Sequence, residues 1–247
     1  AVGYLRSIGD SDRIKAAIRS GDRIAVIGGG WLGLEVASAA RTAGCDVTVI
    51  EALERPLQGV LGGEVAEVFA DLHTSHGVDL RTDVSVSGVE ERADRTVVRL
   101  GDGSSVAADF VVVGVGARPR TELAEAADLK VDNGVVVDEH LRASHPDVFA
   151  AGDVANAYHP RLGRHLRVEH WDNAIEQGLA AARVMIGDAG PYARLPYFFT
   201  DQYDLGMEYV GDVGPDGYDE VILRGDVPDR VFTAFWTRGG RVVAGMH

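Results

Sequence analysis

The stretch Ile24 to Ala37 reads IAVIGGGWLGLEVA and joins a short β-branched run to a G-x-G-x-x-G turn and an apolar helical run. Each glycine has its own task in such a turn. Gly28 lets the chain leave the strand sharply, Gly30 removes the Cβ that would block a phosphate, and Gly33 lets the helix pack closely on the sheet. The start of the helix then offers backbone N–H groups to an anion. A chain with 31 glycines produces this spacing by chance as well, so the context decides. Arg23–Ile27 reads as a strand before the turn and Trp31–Ala43 as a helix after it. Val47–Ile50 reads as a second strand ending in Glu51, about 20 residues beyond the glycines, where a dinucleotide site places its acidic residue. The candidate pyrophosphate site is therefore Gly28, Gly29, Gly30, Trp31, Leu32 and Gly33; a strand-turn-helix without a ligand is the plainer alternative. Glu51 would hydrogen-bond the adenosine ribose and repel a 2′-phosphate, which favours NAD(H) over NADP(H), while Arg55 stands close enough to blur that preference.

The 247 residues are 46% hydrophobic and 25% charged, which is ordinary globular composition, and no apolar run approaches the roughly 20 residues of a membrane helix. A net charge of −14 argues against general binding to nucleic acid or to an anionic membrane. The one cysteine, Cys45, excludes a disulfide framework and a CxxC redox pair within these residues, and its place in the turn before the second strand reads as a small half-buried residue.

Ser11–Arg19 carries Ile14, Ala17 and Ile18 at helical spacing, with Ser11 or Asp12 as the cap. After a loop, Glu64–His76 reads as a helix and Val78–Leu80 as a strand. Val84–Val86, Thr96–Leu100 and Ser105–Ala107 read as an antiparallel three-stranded flap with a turn at Gly101-Asp-Gly103, and Phe110–Val115 as a central parallel strand. A short helix (Glu122–Ala127), an extended Val135–Val137 and the run Val148–Asp153 follow, the last ending in Gly-Asp, which by pattern alone is a tight turn with a capping Asp153. Asn173–Ile186 reads as a helix burying Ile175, Leu179, Ala182 and Met185. An aromatic cluster (Tyr197, Phe198, Phe199, Tyr203) then leads to strand-like runs Val221–Arg224, Val231–Phe235 and Arg241–Ala244.

Six segments in this order resemble the two-dinucleotide, pyridine nucleotide-disulfide flavoprotein family, in its FAD-dependent ferredoxin and rubredoxin reductase branch. They are Tyr4-Leu-Arg-Ser-Ile-Gly-Asp10, Gly28 to Glu35, Val113-Gly-Val-Gly-Ala-Arg-Pro119, Val148-Phe-Ala-Ala-Gly-Asp153, Val168-Glu-His-Trp-Asp-Asn173 with Gln177-Gly178, and Tyr197-Phe-Phe-Thr-Asp-Gln-Tyr203. The resemblance implies an α/β fold with a Rossmann-like NAD(H)-binding domain over residues 21–117 that carries the flap. Residues 1–20 would be a linker from a FAD domain with a lead-in helix, 118–195 the second half of that FAD domain, and 196–247 the start of an α+β interface domain. It implies that Arg6 and Asp153 contact FAD, that Trp171 lies against the flavin ring, and that Gly114, Val115 and Gly116 line the nicotinamide pocket. Glu35 would point toward nicotinamide and flavin as the catalytic carboxylate. Phe199 stands where the family carries an aromatic beside the flavin, although Trp is usual there.

The implied activity is hydride transfer from NADH to FAD, then electron delivery to a small ferredoxin or rubredoxin, in a cytoplasmic enzyme with no nucleic-acid or membrane partner. A NADH oxidase, peroxidase or coenzyme A disulfide reductase of the same fold is the alternative, and a flavin-free NAD-binding module is another. The family's own first G-x-G-x-x-G and flavin-side lysine are not among these residues, so the sequence reads as an internal piece of a longer flavoprotein. A ferredoxin is typically acidic, and the stretch His159 to Arg167, with Arg161, Arg164 and Arg167, is a candidate docking patch or a solvated loop. Its histidines, with His170, match no metal-ligand spacing.

Overall fold

The computed structural model describes residues 1–188 and 190–247. Its contacts divide into two compact units, one of Ala1–Ala117, Thr200–Met207 and Leu223–Ala234, the other of Arg118–Phe199, Glu208–Ile222 and Phe235–His247.

The first unit is built on strands β1 (Val2–Tyr4), β2 (Ile24–Ile27), β3 (Val47–Ile50) and β4 (Asp79–Arg81), with helices α1 (Ile8–Ser20), α2 (Trp31–Thr42), α3 (Gln58–Leu61) and α4 (Gly63–Ser75) between them. Strands β5 (Val86–Glu91), β6 (Thr96–Leu100) and β7 (Ser105–Ala108) form an antiparallel sheet of their own, and β8 (Phe110–Val113) returns to the main sheet. That main sheet has the order β1-β8-β2-β3-β4, and every neighbouring pair is parallel. All four residues of β2 are buried, as an inner strand requires, because a parallel strand has no solvent face on which a polar residue would be hydrated. One core cluster gathers Ala25, Ile27, Ile50, Val98, Leu100, Ala108 and Val111, so it joins the sheet to the flap.

Four details depart from the sequence reading. Helix α1 starts at Ile8, capped not by Ser11 or Asp12 but by Ser7. The Ser7 side chain accepts the Asp10 N–H, and the Asp10 carboxylate accepts the Ser7 N–H at 2.9 Å. Strand β1 lies in the stretch expected to be a linker. Its partner lies far along the chain, Val2 opposite Val111, and Gly3 suits it because a Cβ there would stand 2.7 Å from the Phe110 ring. Helix α3 falls within what reads as loop. Strand β5 begins where the expected Val84–Val86 ends, runs on through Glu90 and Glu91, and shifts register between Val86 and Gly88.

In the second unit, helix α5 (Glu122–Ala126) precedes β9 (Val135–Val137). A 3₁₀ turn (Gly152–Val154), β10 (Ala155–His159), β11 (Arg164–Leu166) and α6 (Trp171–Met185) follow. The strands order as β11-β10-β9 around a core of Ala124, Val135, Val137, Leu141, Ala155, Ala157 and Ala181. Helix α6 turns a different face inward from the one its apolar residues suggest. Asn173, Gln177, Ala181 and Val184 are buried, while Ile175, Leu179 and Met185 are 41%, 50% and 60% exposed. The polar residues win because they have buried work to do: Gln177 Oε1 accepts the Gly152 N–H at 2.8 Å, and Asn173 Nδ2 donates to the Val168 carbonyl at 3.1 Å.

Residues 197–246 supply five strands, β12 (Tyr197–Gln202), β13 (Leu205–Gly211), β14 (Glu220–Asp226), β15 (Val231–Arg238) and β16 (Arg241–Met246), ordered β12-β13-β16-β15-β14.

Candidate dinucleotide and redox site

Steric necessity sets the glycine turn after β2. Gly28 adopts φ +103°, and a Cβ on it would lie 2.5 Å from the Gly114 carbonyl oxygen. A Cβ on Gly33 would lie 2.0 Å from the Gly28 oxygen, so α2 approaches β2 as closely as backbone permits. Gly30 differs, since nothing stands within 4 Å of where its Cβ would be. It opens the turn at the N-terminus of α2, which no side chain caps. Open space beside backbone at an uncapped helix N-terminus suits a phosphate anion.

Glu51 closes the loop at the end of β3. Its Oε2 accepts the Gly29 N–H at 2.6 Å and its Oε1 the Leu53 N–H at 2.8 Å, so the carboxylate is fixed beside the glycines. The Arg55 guanidinium is already engaged, by Glu67 through Nε and by Glu54 through Nη1 at 2.7 Å. Leu32 is 38% exposed and reaches toward Gly114, and Val115 is 70% exposed next to Gly116 at φ +112°. Trp31 packs edge-on against Phe69 of α4, with ring centroids 5.7 Å apart. The structure thus brings Gly28, Gly29, Gly30, Leu32, Gly33, Glu51 and Gly114 to one end of the parallel sheet.

Glu35 is exposed one turn into α2, and its Oε1 accepts the Thr200 hydroxyl at 2.6 Å. Behind it lies a buried polar chain that the sequence reading missed. Gln202 Nε2 donates to Thr200 Oγ1 at 3.2 Å, Gln202 Oε1 meets His73 Nε2 at 2.8 Å, and the Tyr203 backbone N–H donates to Ser38 Oγ at 2.8 Å. His73 and Gln202 are fully buried, and burial pushes the His73 pKa down against the opposing pull of its Gln202 hydrogen bond. The strand alternation of Phe198, Thr200 and Gln202 was the available signal, because it places all three on one face.

In the second unit, Gly152 sits at φ +75° against Ala174 of α6. Asp153 follows it with an exposed carboxylate and caps no helix: the N-cap of α6 is His170. Trp171, 72% exposed, meets Phe199, 48% exposed, edge to face at 6.4 Å, so two large aromatics stand in solvent together. Arg6 is exposed in the turn between β1 and α1. Of the arginines in the candidate docking patch, Arg164 pairs with Asp212 and Arg167 with Glu169, so their charges are met within the chain. His159 uses both ring nitrogens, one on the Arg194 carbonyl at 3.0 Å and one on the Leu162 N–H at 3.3 Å. No group of three or more His, Cys, Asp or Glu among the described residues could hold a metal ion. None of the described helices is long and apolar enough to cross a membrane.

Comparison with known proteins places the chain in a family. The pyridine nucleotide-disulphide oxidoreductase description matches residues 1–178, and the reductase C-terminal description matches residues 197–246. The chain belongs to the pyridine nucleotide-disulphide oxidoreductase family. Within it, the chain is 40% identical over 242 residues to the ferredoxin–NAD(+) reductase component of the anthranilate 1,2-dioxygenase system of Burkholderia cepacia, covering 98% of this chain and 59% of that protein. Among solved structures of the family, the ferredoxin reductase for the CYP199A2 system of Rhodopseudomonas palustris superposes with a TM-score of 0.94 at 35% identity, over 99% of this chain and 60% of that one. Putidaredoxin reductase, solved in a covalent complex with putidaredoxin, superposes with a TM-score of 0.93 at 37% identity, over 99% of this chain and 59% of that one. The chain thus spans about three fifths of the length of these family members.

Proposed function

We propose that this chain carries the NADH-binding part and a share of the flavin-binding part of a reductase that passes electrons from NADH to a small iron–sulfur ferredoxin. The observation that carries the reading is the opening at Gly30, set on the uncapped start of α2 and flanked by the fixed Glu51 carboxylate. The α2 N-terminus would hold the pyrophosphate of NADH, Glu51 its adenosine ribose, and Gly114 to Gly116 would leave room for the nicotinamide. Glu35 would face that end, held by Thr200. Arg6 would contact FAD through its exposed guanidinium, Asp153 would hydrogen-bond the FAD ribityl or phosphate region, and Trp171 with Phe199 offers aromatic surface to its ring. A bound flavin supplies the step between two-electron hydride acceptance and single-electron release. The protein's share is to bind, orient and exclude water, and no side-chain nucleophile is called for. The domain division 1–20, 21–117, 118–195 and 196–247 and a cytoplasmic location belong to the same proposal.

Support for the acceptor comes from the relatives, one named a ferredoxin–NAD(+) reductase component and another solved with its putidaredoxin. The test is a visible spectrum of the protein with FAD, followed by anaerobic NADH and then an oxidised [2Fe–2S] ferredoxin. The reading expects the flavin band to bleach with NADH and to return as the ferredoxin is reduced. A bound flavin that NADH leaves oxidised would overturn it.

A further inference from the structure

NADH and NADPH differ by one 2′-phosphate, which a cation attracts and a carboxylate repels. Residues of both kinds stand together at the adenosine end of this site. A Cβ on Gly29 would lie 3.0 Å from both Glu51 Oε2 and Pro56 Cβ, and the Leu57 N–H donates to the Gly29 carbonyl at 3.1 Å. The segment from Arg55 to Leu57 therefore runs directly along the glycine turn and the Glu51 carboxylate. The backbone N–H of Arg55 is fixed on Gln58 Oε1 at 3.0 Å, so the root of this side chain does not wander.

Its guanidinium is held elsewhere. Glu67, from α4, takes Nε, and Glu54 takes Nη1. Two carboxylates on one guanidinium leave that group with a net charge of −1, and Glu51 adds another. An arginine rooted beside the glycine turn is thus masked by its own chain. The Glu67 side chain is 51% exposed, and an ion pair so wetted contributes little to the fold, so its removal changes where Arg55 points more than whether the protein folds.

We propose that Glu67 is a specificity-determining residue: it keeps the Arg55 guanidinium away from the adenosine ribose and so denies NADPH its cationic partner. The proposal rests on the dinucleotide reading of the glycine turn. Glu51 excludes the 2′-phosphate by repulsion, and Glu67 does so by occupying the only nearby attraction the loop sequence supplies.

The test is equilibrium titration of the wild-type protein, Glu67→Gln and Glu67→Gln/Arg55→Ala with NADH and with NADPH at low salt. Glu67→Gln should bind NADPH about three- to tenfold more tightly and NADH within about twofold of wild type. The gain should shrink as salt rises, as for any attraction between exposed charges, and should vanish in the double variant. NADPH affinity that stays at the wild-type level in Glu67→Gln, with NADH binding intact, overturns the masking role alone. A gain that survives Arg55→Ala overturns it too. If the wild-type protein binds neither nucleotide, the dinucleotide reading falls and takes this proposal with it.

Discussion

Gly30 and Gly33 lie three positions apart in one turn, yet the structure asks different things of them. A Cβ on Gly33 would meet the Gly28 carbonyl at 2.0 Å, whereas one on Gly30 would meet nothing within 4 Å. Gly33→Ala should therefore cost about 1–3 kcal/mol of stability by overpacking backbone against backbone. Gly30→Ala should cost at most about 1 kcal/mol as a poorer helix cap, yet abolish NADH binding by filling the phosphate opening. Urea melts read beside NADH titrations separate the two; Gly30→Ala with undiminished affinity would place the pyrophosphate elsewhere. Glu51→Ala removes the acceptor of two backbone N–H groups as well as the ribose ligand. It should weaken NADH about tenfold and narrow the gap to NADPH, and an unchanged ratio of the two affinities would refute its role in discrimination. These residues were legible in the sequence because local sterics fix their spacing. Thr200, Gln202 and His73 were not, because a polar residue declares itself buried only through partners far along the chain, such as Gln202 on His73.

At the level of the element, α6 shows why periodicity alone misjudged a face. Its apolar residues Ile175, Leu179 and Met185 and its polar residues Asn173 and Gln177 compete for the inside, and the Gly152 N–H decides, since burial without Gln177 would leave it unpaired. Gln177→Leu, nominally more hydrophobic, should destabilise by about 1–3 kcal/mol, while Leu179→Ser should stay within about 0.5 kcal/mol. The reverse order in denaturant titrations would restore the apolar face to the core. The start of α1 was legible in principle, since Ser7-Ile-Gly-Asp10 is a capping-box spacing; β1 was not, having three residues, a glycine at its centre and its partner strand at Val111. Strands β2 and β8 are tied at their beginnings by Arg23 and Asp109. The Arg23 side chain and backbone N–H groups hold the Asp109 carboxyl down to about 2. An unfolded aspartate titrates near ~3.9, so this group's contribution is fully present above about pH 4 and is lost as pH falls through about 2. Asp109→Asn should flatten the acid side of the stability profile in that window. An unaltered profile from pH 5 to pH 2 would show that the ion pair carries no linkage.

Across the whole molecule, the net charge is −14, and on the candidate docking face around His159 Arg164 and Arg167 pair with Asp212 and Glu169. That face looked cationic because Asp212 lies 48 residues beyond Arg164. The order of segments was legible at this scale, as the family match over residues 1–178 and 197–246 bears out. The parallel sheet order β1-β8-β2-β3-β4 was only partly legible, because it needs the return of β8 between β1 and β2. The account turns on one claim, that the loop from Gly28 to Gly33 with Glu51 is an NADH site. Equilibrium titration of the purified protein with NADH and NADPH, followed by NADH fluorescence, tests it most directly. The account predicts saturable NADH binding at one site and NADPH weaker by about tenfold, the equivalent of about 1.4 kcal/mol. No saturable NADH binding, or equal affinity for both nucleotides, would contradict it.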